Sequence, residues 1–216
     1  MARTLLLDLD GTLVDTVPDL TSALNRLMVA RGLPVFARPQ VAAMVGDGVG
    51  VLVARAFAAR GRQPDAAAVA ELTADYTANV AVESVLYPRV LSVLTGLAGD
   101  GWHLAVCTNK PEEAAKALLG ALGLLPLLCA VGGGDSFPTR KPDPAHLLAT
   151  LTKAAGRANA AVMVGDHHND VTAARGAGVP SIFAGWGYGA PAMAEGCTAV
   201  AQDITEAAAI ANRLLP

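Results

Sequence analysis

Aromatic residues are scarce in this chain of 216 residues, at 4%, so Ala, Leu and Val must fill the interior. Positive charge is scarce too. Sixteen Lys and Arg stand against nineteen Asp and Glu, a formal net charge of −3 with no basic block. That argues against a nucleic-acid partner, which requires a clustered positive footprint. A small anionic substrate is not excluded, because one local cation can hold it. Cysteine amounts to three residues, Cys107, Cys129 and Cys197, widely spaced and odd in number. They show no metal-ligand spacing and read as small buried hydrophobes in a reducing compartment. No apolar run is long enough for a membrane span. The N-terminus lacks a charged segment followed by an apolar one and a cleavage site, so no signal peptide is expected and the expected location is cytoplasmic.

What is present is apolar: 53% hydrophobic residues, enough for a sizeable core. The chain is organised around residues 4–16. Thr4 to Leu7 is a short apolar run that reads as a buried strand, and it ends in two carboxylates, Asp8 and Asp10. Side chains two apart lie on one side of an extended chain, and groups just past a parallel strand's C-terminal end face the ligand crevice. Two acids placed together there are costly, since like charges repel and partial burial disfavours ionisation. A divalent cation offsets that cost, as does a division of labour in which one carboxylate stays ionised and its neighbour is held protonated. Gly11 lets the backbone turn tightly and brings bare N–H groups close to a ligand. Taken alone, the segment also reads as a strand followed by a solvated Asp-Gly turn.

Beyond Asp15 the period becomes helical, with Leu20, Leu24, Leu27 and Met28 on one face. Thr16 is placed to cap that helix, and Pro18 suits its first turn. Further helices are expected over 38–45, 51–59 and 65–82, with a glycine-rich turn at Gly46-Asp47-Gly48-Val49-Gly50. No strand is expected between 17 and 82. From Tyr87-Pro88 onward strands and helices alternate, with strands expected at 103–107, 129–131, 161–164, 181–184 and 198–200. The helices between them are expected at 90–98, 112–122, 144–155, 170–177 and 204–214. This is the pattern of an α/β doubly wound parallel sheet. The helical block reads as a lid inserted after the first strand, so residues 1–16 and 83–216 form a Rossmann-like core and 17–82 a cap.

Three later strand ends carry chemistry. Thr108 ends one strand; with the N–H groups at a helix start it can hold a phosphate oxygen, or simply cap the helix. Lys141 is presented from a stiff Lys-Pro-Asp-Pro loop, restricted by Pro142 and Pro144. Asp166 and Asp170 follow the apolar strand ending at Gly165. His167 and His168 invite a zinc reading, set aside because adjacent side chains diverge and no third nitrogen or sulfur ligand is nearby. His103 and His146 read as structural and Arg140 as a surface neighbour.

The string Asp8-Leu9-Asp10-Gly11-Thr12-Leu13-Val14-Asp15, with Thr108, Lys141 and Gly165-Asp166-x-x-x-Asp170 in order, resembles the four motifs of the haloacid dehalogenase superfamily. The resemblance covers the whole chain, and its one departure is His167, where many relatives carry Ser. It implies an Mg²⁺-dependent phosphatase. Asp8 would be the nucleophile and Asp10 the acid and then the base. Mg²⁺ would be held by Asp8, the Asp10 carbonyl and Asp166, with Asp170 supporting it or Lys141. Gly11, Thr108, Asn109 and Lys141 would cradle the phosphate. Dehalogenase members lack an acid where Asp10 stands and use no Mg²⁺. The glycine turn with Gly48, and a helix carrying Arg55, resemble the lid of the phosphoglycolate phosphatase-like branch. So do Val17-Pro18-Asp19-Leu20, Thr108-Asn109-Lys110-Pro111, Gly133-Gly134-Asp135-Ser136 and Gly187-Tyr188-Gly189. In that branch Arg55 would meet the carboxylate of 2-phosphoglycolate, its second anionic group. The partner expected is a small phosphorylated metabolite, for a monomer or homodimer away from nucleic acid and membrane. A sugar phosphate, pyrophosphate, a mutase reaction or a non-catalytic binding protein remain the alternatives.

Overall fold

In the computed structural model, which describes residues 3–216, the chain opens with β1 (Thr4–Leu7) and the two-residue β2 (Val14–Asp15). Helices α1 (Val17–Ala30), α2 (Arg38–Ala42), α3 (Val49–Ala58) and α4 (Ala68–Ala78) follow, and then β3 (Val85–Leu86). The remainder alternates: α5 (Val90–Gly99), β4 (His103–Cys107), α6 (Glu112–Ala121), β5 (Ala130–Gly132), α7 (Pro144–Lys153) and β6 (Ala161–Gly165). It ends with α8 (His168–Gly176), β7 (Ser181–Ala184), β8 (Ala199–Ala201) and α9 (Ile204–Leu214). Six strands form one sheet in the order β5-β4-β1-β6-β7-β8, and every pairing in it is parallel. β1 is therefore central, with β4 and β6 on its two sides. The four strand ends bearing Asp8, Thr108, Gly132 and Asp166 open along one edge.

Alternation along β1 divides the interior. Leu5 and Leu7 enter one apolar cluster with Val90, Leu94 and Leu97 of α5, Leu118 of α6 and Ile204 and Ile210 of α9. Leu6 enters the other, with Leu147 and Leu151 of α7 and Ala173 and Ala174 of α8. Both faces are apolar because helices cover both, as a parallel sheet requires. The helical insert has no separate core of its own: Leu24, Met28, Leu52, Val53, Phe57 and Leu72 belong to the first cluster. α1 packs on α2 and α4, α3 on α4, and α4 reaches α6 of the sheet domain.

The neck between insert and sheet was not anticipated. β2 and β3 form a small antiparallel ladder, Val14 opposite Leu86 and Asp15 opposite Val85; two residues are too few to show a period. Beside it, Asp19 is buried and accepts from the backbone N–H groups of Val82, Glu83 and Ser84 and from the Ser84 hydroxyl, at 2.7–3.0 Å. This draws residues 82–84 out of helical conformation and explains why α4 stops at Ala78 instead of running to 82. At its start the side chain of Asp65 bonds the N–H of Ala67, so the first residues expected in that helix form a turn.

Two local expectations fail. Thr16 does not cap α1; its hydroxyl donates to Asp10 Oδ1 at 2.7 Å. The first N–H groups of the helix go instead to the hydroxyl of Tyr188, 2.7 Å from Thr16 N and 3.2 Å from Val17 N. Among the cysteines only Cys107 is fully buried; Cys129 is exposed and Cys197 half-buried. Cys129 lies just before β5, outside the sheet interior.

Candidate active site

The residues singled out at the strand ends converge. Asp8, directly after β1, accepts from the N–H of Leu9 through Oδ1 at 2.8 Å. The same oxygen lies 3.0 Å from Lys141 Nζ, and Lys141 also reaches Asp170 Oδ1 at 2.6 Å. All three are buried, so this is a carboxylate–ammonium–carboxylate chain in a poorly solvated place. Burial alone works to lower the Lys141 pKa. The charges of Asp170 and Asp8 outweigh it, so the lysine stays protonated. Lys141 comes from the loop before α7, whose N-cap Asp143 accepts from Ala145 N. Asp170 Oδ2 in turn accepts from the N–H of His167 at 3.0 Å, closing the first turn of α8.

Asp166 completes the acidic group. Thr12 Oγ1 donates to its Oδ1 at 3.2 Å, and the N–H groups of Tyr188 and Gly189 donate to its Oδ2 at 2.8 and 3.2 Å. No cationic side chain pairs with it among the described residues. Burial and the charge of Asp8 push its pKa up to about 8. Asp8, Asp166 and Asp170 bring oxygens within 4.8 Å of one another. Three buried carboxylates with one ammonium leave uncompensated negative charge, and an all-oxygen set suits a hard divalent cation; the donors present fit the metal that the motifs imply. Gly11 faces this group with φ +80°, and a Cβ there would stand 2.3 Å from Asp166 Oδ2, so a side chain would displace the carboxylate.

Asp10 points elsewhere. Its carboxylate pairs with Lys110 Nζ at 2.8 and 3.1 Å and accepts from the Thr16 hydroxyl. It shares a cavity with Asp8, Thr108, Asn109, Lys110 and Gly48, roofed by Val49 and Leu52 of α3 and Leu72 and Tyr76 of α4. Lys110, which the sequence motifs assign no role, is buried with its ammonium 4.2 Å from the Tyr76 ring centroid. Burial opposes its charge, but Asp10 and Tyr76 together raise its pKa. What could have found it is its position two residues beyond Thr108, whose hydroxyl accepts from the Lys110 N–H at 3.2 Å.

Other expected residues take different partners. Asn109 uses its Nδ2 on two carbonyls, Gly46 at 3.0 Å and Lys141 at 2.9 Å, so it ties the insert's loop to the lysine loop rather than presenting a free donor. Arg55 donates to Asp47 at 2.5 Å and to the Met44 carbonyl at 3.0 Å. It lines a second cavity with Asp10, Asp47, Asp166, His167 and His168, so that space also borders two of the catalytic acids. His167 and His168 do not diverge: their ring centroids are 4.2 Å apart. His167 is the extended N-cap residue of α8 and His168 its first helical residue, and the change of backbone conformation between them turns both rings to one side. Burial and the neighbouring His168 push the His167 pKa down to about 4. His146 is buried between Gly133 O (2.9 Å) and Cys107 Sγ (3.4 Å), as a structural residue should be, and Arg140 is exposed.

Comparison with known proteins agrees with this arrangement. The family model described as haloacid dehalogenase-like hydrolase matches residues 5–184. A protein named phosphoglycolate phosphatase from Rhodospirillum rubrum is 43% identical over 212 residues, covering 94% of this chain and 88% of its own length. One of the same name from Agrobacterium fabrum is 44% identical over 185 residues, covering 84% and 79%. The crystal structure of a predicted phosphoglycolate phosphatase from Haemophilus somnus superposes with a TM-score of 0.89 at 30% identity, covering 97% of each chain. A match over that much of the chain, with the acids at strand ends and the lysine just before α7, shows that the chain belongs to the haloacid dehalogenase-like hydrolases.

Proposed function

We propose that the protein is an Mg²⁺-dependent phosphatase that hydrolyses a small phosphomonoester through an aspartyl-phosphate on Asp8, with 2-phosphoglycolate the favoured substrate. The observation that carries this is the shared cavity: Asp8 and Asp10 line one space, and each is held by its own lysine. Mg²⁺ bound by Asp8, Asp166, Asp170 and the Asp10 carbonyl would supply charge neutralisation and orientation of the transferred group. The rest falls to the chain's residues. Lys141, 3.0 Å from Asp8 Oδ1, orients that carboxylate for attack. A carboxylate oxygen of Asp8 bonds to phosphorus while the ester P–O bond breaks, and Asp10, which must first take up a proton because Lys110 holds it as a carboxylate, gives that proton to the departing alkoxide. Asp10 then takes a proton from water as that water attacks phosphorus, releasing phosphate and restoring Asp8. Thr108 and the N–H groups near Gly11 hold the equatorial oxygens. Residues 17–82 act as the lid over this cavity, and 1–16 with 83–216 as the catalytic core.

The cavity also reassigns substrate recognition. Arg55 is committed to Asp47 and the Met44 carbonyl, whereas Lys110 pairs with Asp10 directly. In 2-phosphoglycolate the carboxylate stands one carbon from the ester oxygen. A molecule placing that oxygen at Asp10 therefore brings its second anion to Lys110. The names of the relatives support the same substrate. The test is phosphate release from 2-phosphoglycolate beside sugar phosphates, nucleotides and pyrophosphate, with and without Mg²⁺. A kcat/KM for phosphoglycolate well above the panel, abolished in Asp8→Asn, is the expected result. A Mg²⁺-dependent profile that peaks on another substrate removes 2-phosphoglycolate, and turnover surviving in Asp8→Asn removes the aspartyl-phosphate.

A further inference from the structure

A second group of metal-competent side chains stands outside the chemistry just described. Asp47, His167 and His168 each offer a ligand atom within 4.8 Å of the others. They share no residue with the acidic cluster and differ from it in kind, presenting two imidazoles and one carboxylate instead of three carboxylates. The set spans two parts of the fold. Asp47 belongs to the loop before α3, in the helical insert, while the histidines stand where β6 passes into α8 of the sheet domain.

The loop is held so that Asp47 arrives there. The Gly46 carbonyl accepts from the side-chain amides of Asn109 at 3.0 Å and Asn169 at 3.3 Å. Gly46 has φ +120°, and a Cβ on it would stand 2.6 Å from the His167 ring, so only glycine lets the loop come this close. Asp47 Oδ1 accepts from Asn169 Nδ2 at 2.7 Å, and Oδ2 accepts from Arg55 at 2.5 Å. His167 Nδ1 accepts from the Asn169 N–H at 3.3 Å. That leaves His167 Nε2 and both nitrogens of the exposed His168 without hydrogen-bond partners among the described residues. All three residues border the second cavity, which Asp10 and Asp166 also line, so an ion has a way in.

We propose that Asp47, His167 and His168 form a second metal site, for a borderline divalent cation of the Zn²⁺ kind, which clamps the helical insert to the sheet domain. Imidazole nitrogens with one carboxylate favour Zn²⁺ and its late first-row neighbours, whereas Mg²⁺ favours oxygen alone. The two groups therefore sort cations by donor type. Tetrahedral ligation at ~2.1 Å sets ligand atoms about 3.4 Å apart, so the set must contract. His168, exposed and unpartnered, supplies that movement by rotating its side chain, and a water can fill the fourth position. Arg55 stays beside the carboxylate oxygen that the metal leaves free. Because the ligands come from both sides of the seam, the ion holds the insert closed over the first cavity and opposes the opening that substrate entry and product release require.

The experiment titrates ZnCl₂ against a chromophoric chelator in excess Mg²⁺, using wild type, His168→Ala and Asp8→Asn. Hydrogen exchange over residues 43–50 is followed in parallel. Wild type and Asp8→Asn are expected to bind one Zn²⁺ per chain with equal affinity, and His168→Ala at least ~10-fold more weakly, the scale on which losing a metal-site group is felt. Zn²⁺ is expected to slow exchange of the 43–50 loop in wild type and not in His168→Ala, whose turnover without zinc matches wild type. Equal zinc affinity in wild type and His168→Ala overturns the site. Loss of binding confined to Asp8→Asn overturns it too, by moving the ion to the acidic cluster. Binding at the expected residues without slower exchange overturns the clamp. None of these outcomes depends on which phosphomonoester is hydrolysed.

Discussion

Lys110 is charged, buried, stacked on Tyr76 and bound to Asp10. A residue so placed affects both the proton-transferring acid and whatever anion arrives beside it, and substitution separates the two. Lys110→Met removes a charged hydrogen bond worth roughly 1.5–3 kcal/mol. On that scale kcat/KM for 2-phosphoglycolate is expected to fall by about 10–100-fold. Phenyl phosphate, which carries no second anion, should lose much less. Steady-state kinetics on the two substrates decide the matter: equal losses on both would mean that Lys110 serves Asp10 alone. Arg55→Ala is expected to leave the ratio between these substrates unchanged, because its guanidinium is already held by Asp47 and the Met44 carbonyl.

At the scale of elements, the neck is where insert and sheet communicate. The chain crosses it twice, and the crossings are joined by the β2–β3 ladder and by Asp19, which receives three backbone N–H groups from 82–84. Asp19→Ala leaves the buried Ser84 N–H without its acceptor, at a cost of roughly 1–3 kcal/mol, while the N–H groups of the exposed Val82 and Glu83 turn to water. Urea unfolding should show an unfolding free energy lowered by that amount. A change under about 0.5 kcal/mol, the range of an ordinary surface substitution, would show that Asp19 does not hold the neck. The same contacts explain a misjudged boundary. Residues 79–82 have helical composition, but Asp19 lies more than sixty residues away in sequence, so no local pattern announces that it claims their neighbours.

For the whole molecule, the acidic cluster sets a pH dependence that metal should reverse. The Asp166 pKa is raised to about 8 from its ordinary 3.8. Between those values the folded chain therefore binds more protons than the unfolded chain. Stability without metal falls as pH rises across that window. A cation that takes the proton's place should stabilise more at pH 8.5 than at pH 6. At 100-fold excess over Kd, a ligand adds about 2.7 kcal/mol, or roughly 5–10 °C in Tm for a chain of this size. Thermal melts with and without Mg²⁺ at both pH values test this. A metal-free Tm that is flat or rises toward pH 8.5 would contradict it.

Much of this protein is determined by its sequence alone. The Thr4–Leu7, His103–Cys107 and Ser181–Ala184 strands and the Ile204–Leu214 helix lie where periodicity places them, because burial of a strand or one helix face imposes its period directly. The chemistry-bearing strand ends were legible for the same reason: Asp8, Thr108 and Asp166 each interrupt an apolar run. Tertiary structure decided the partnerships. Lys110 reaches Asp10 across one hundred positions, Tyr188 caps α1 in place of Thr16, and Asp47 meets two histidines more than a hundred residues further on. Each pairing depends on where two distant backbones come to lie, and only the closed sheet with its insert folded down determines that distance.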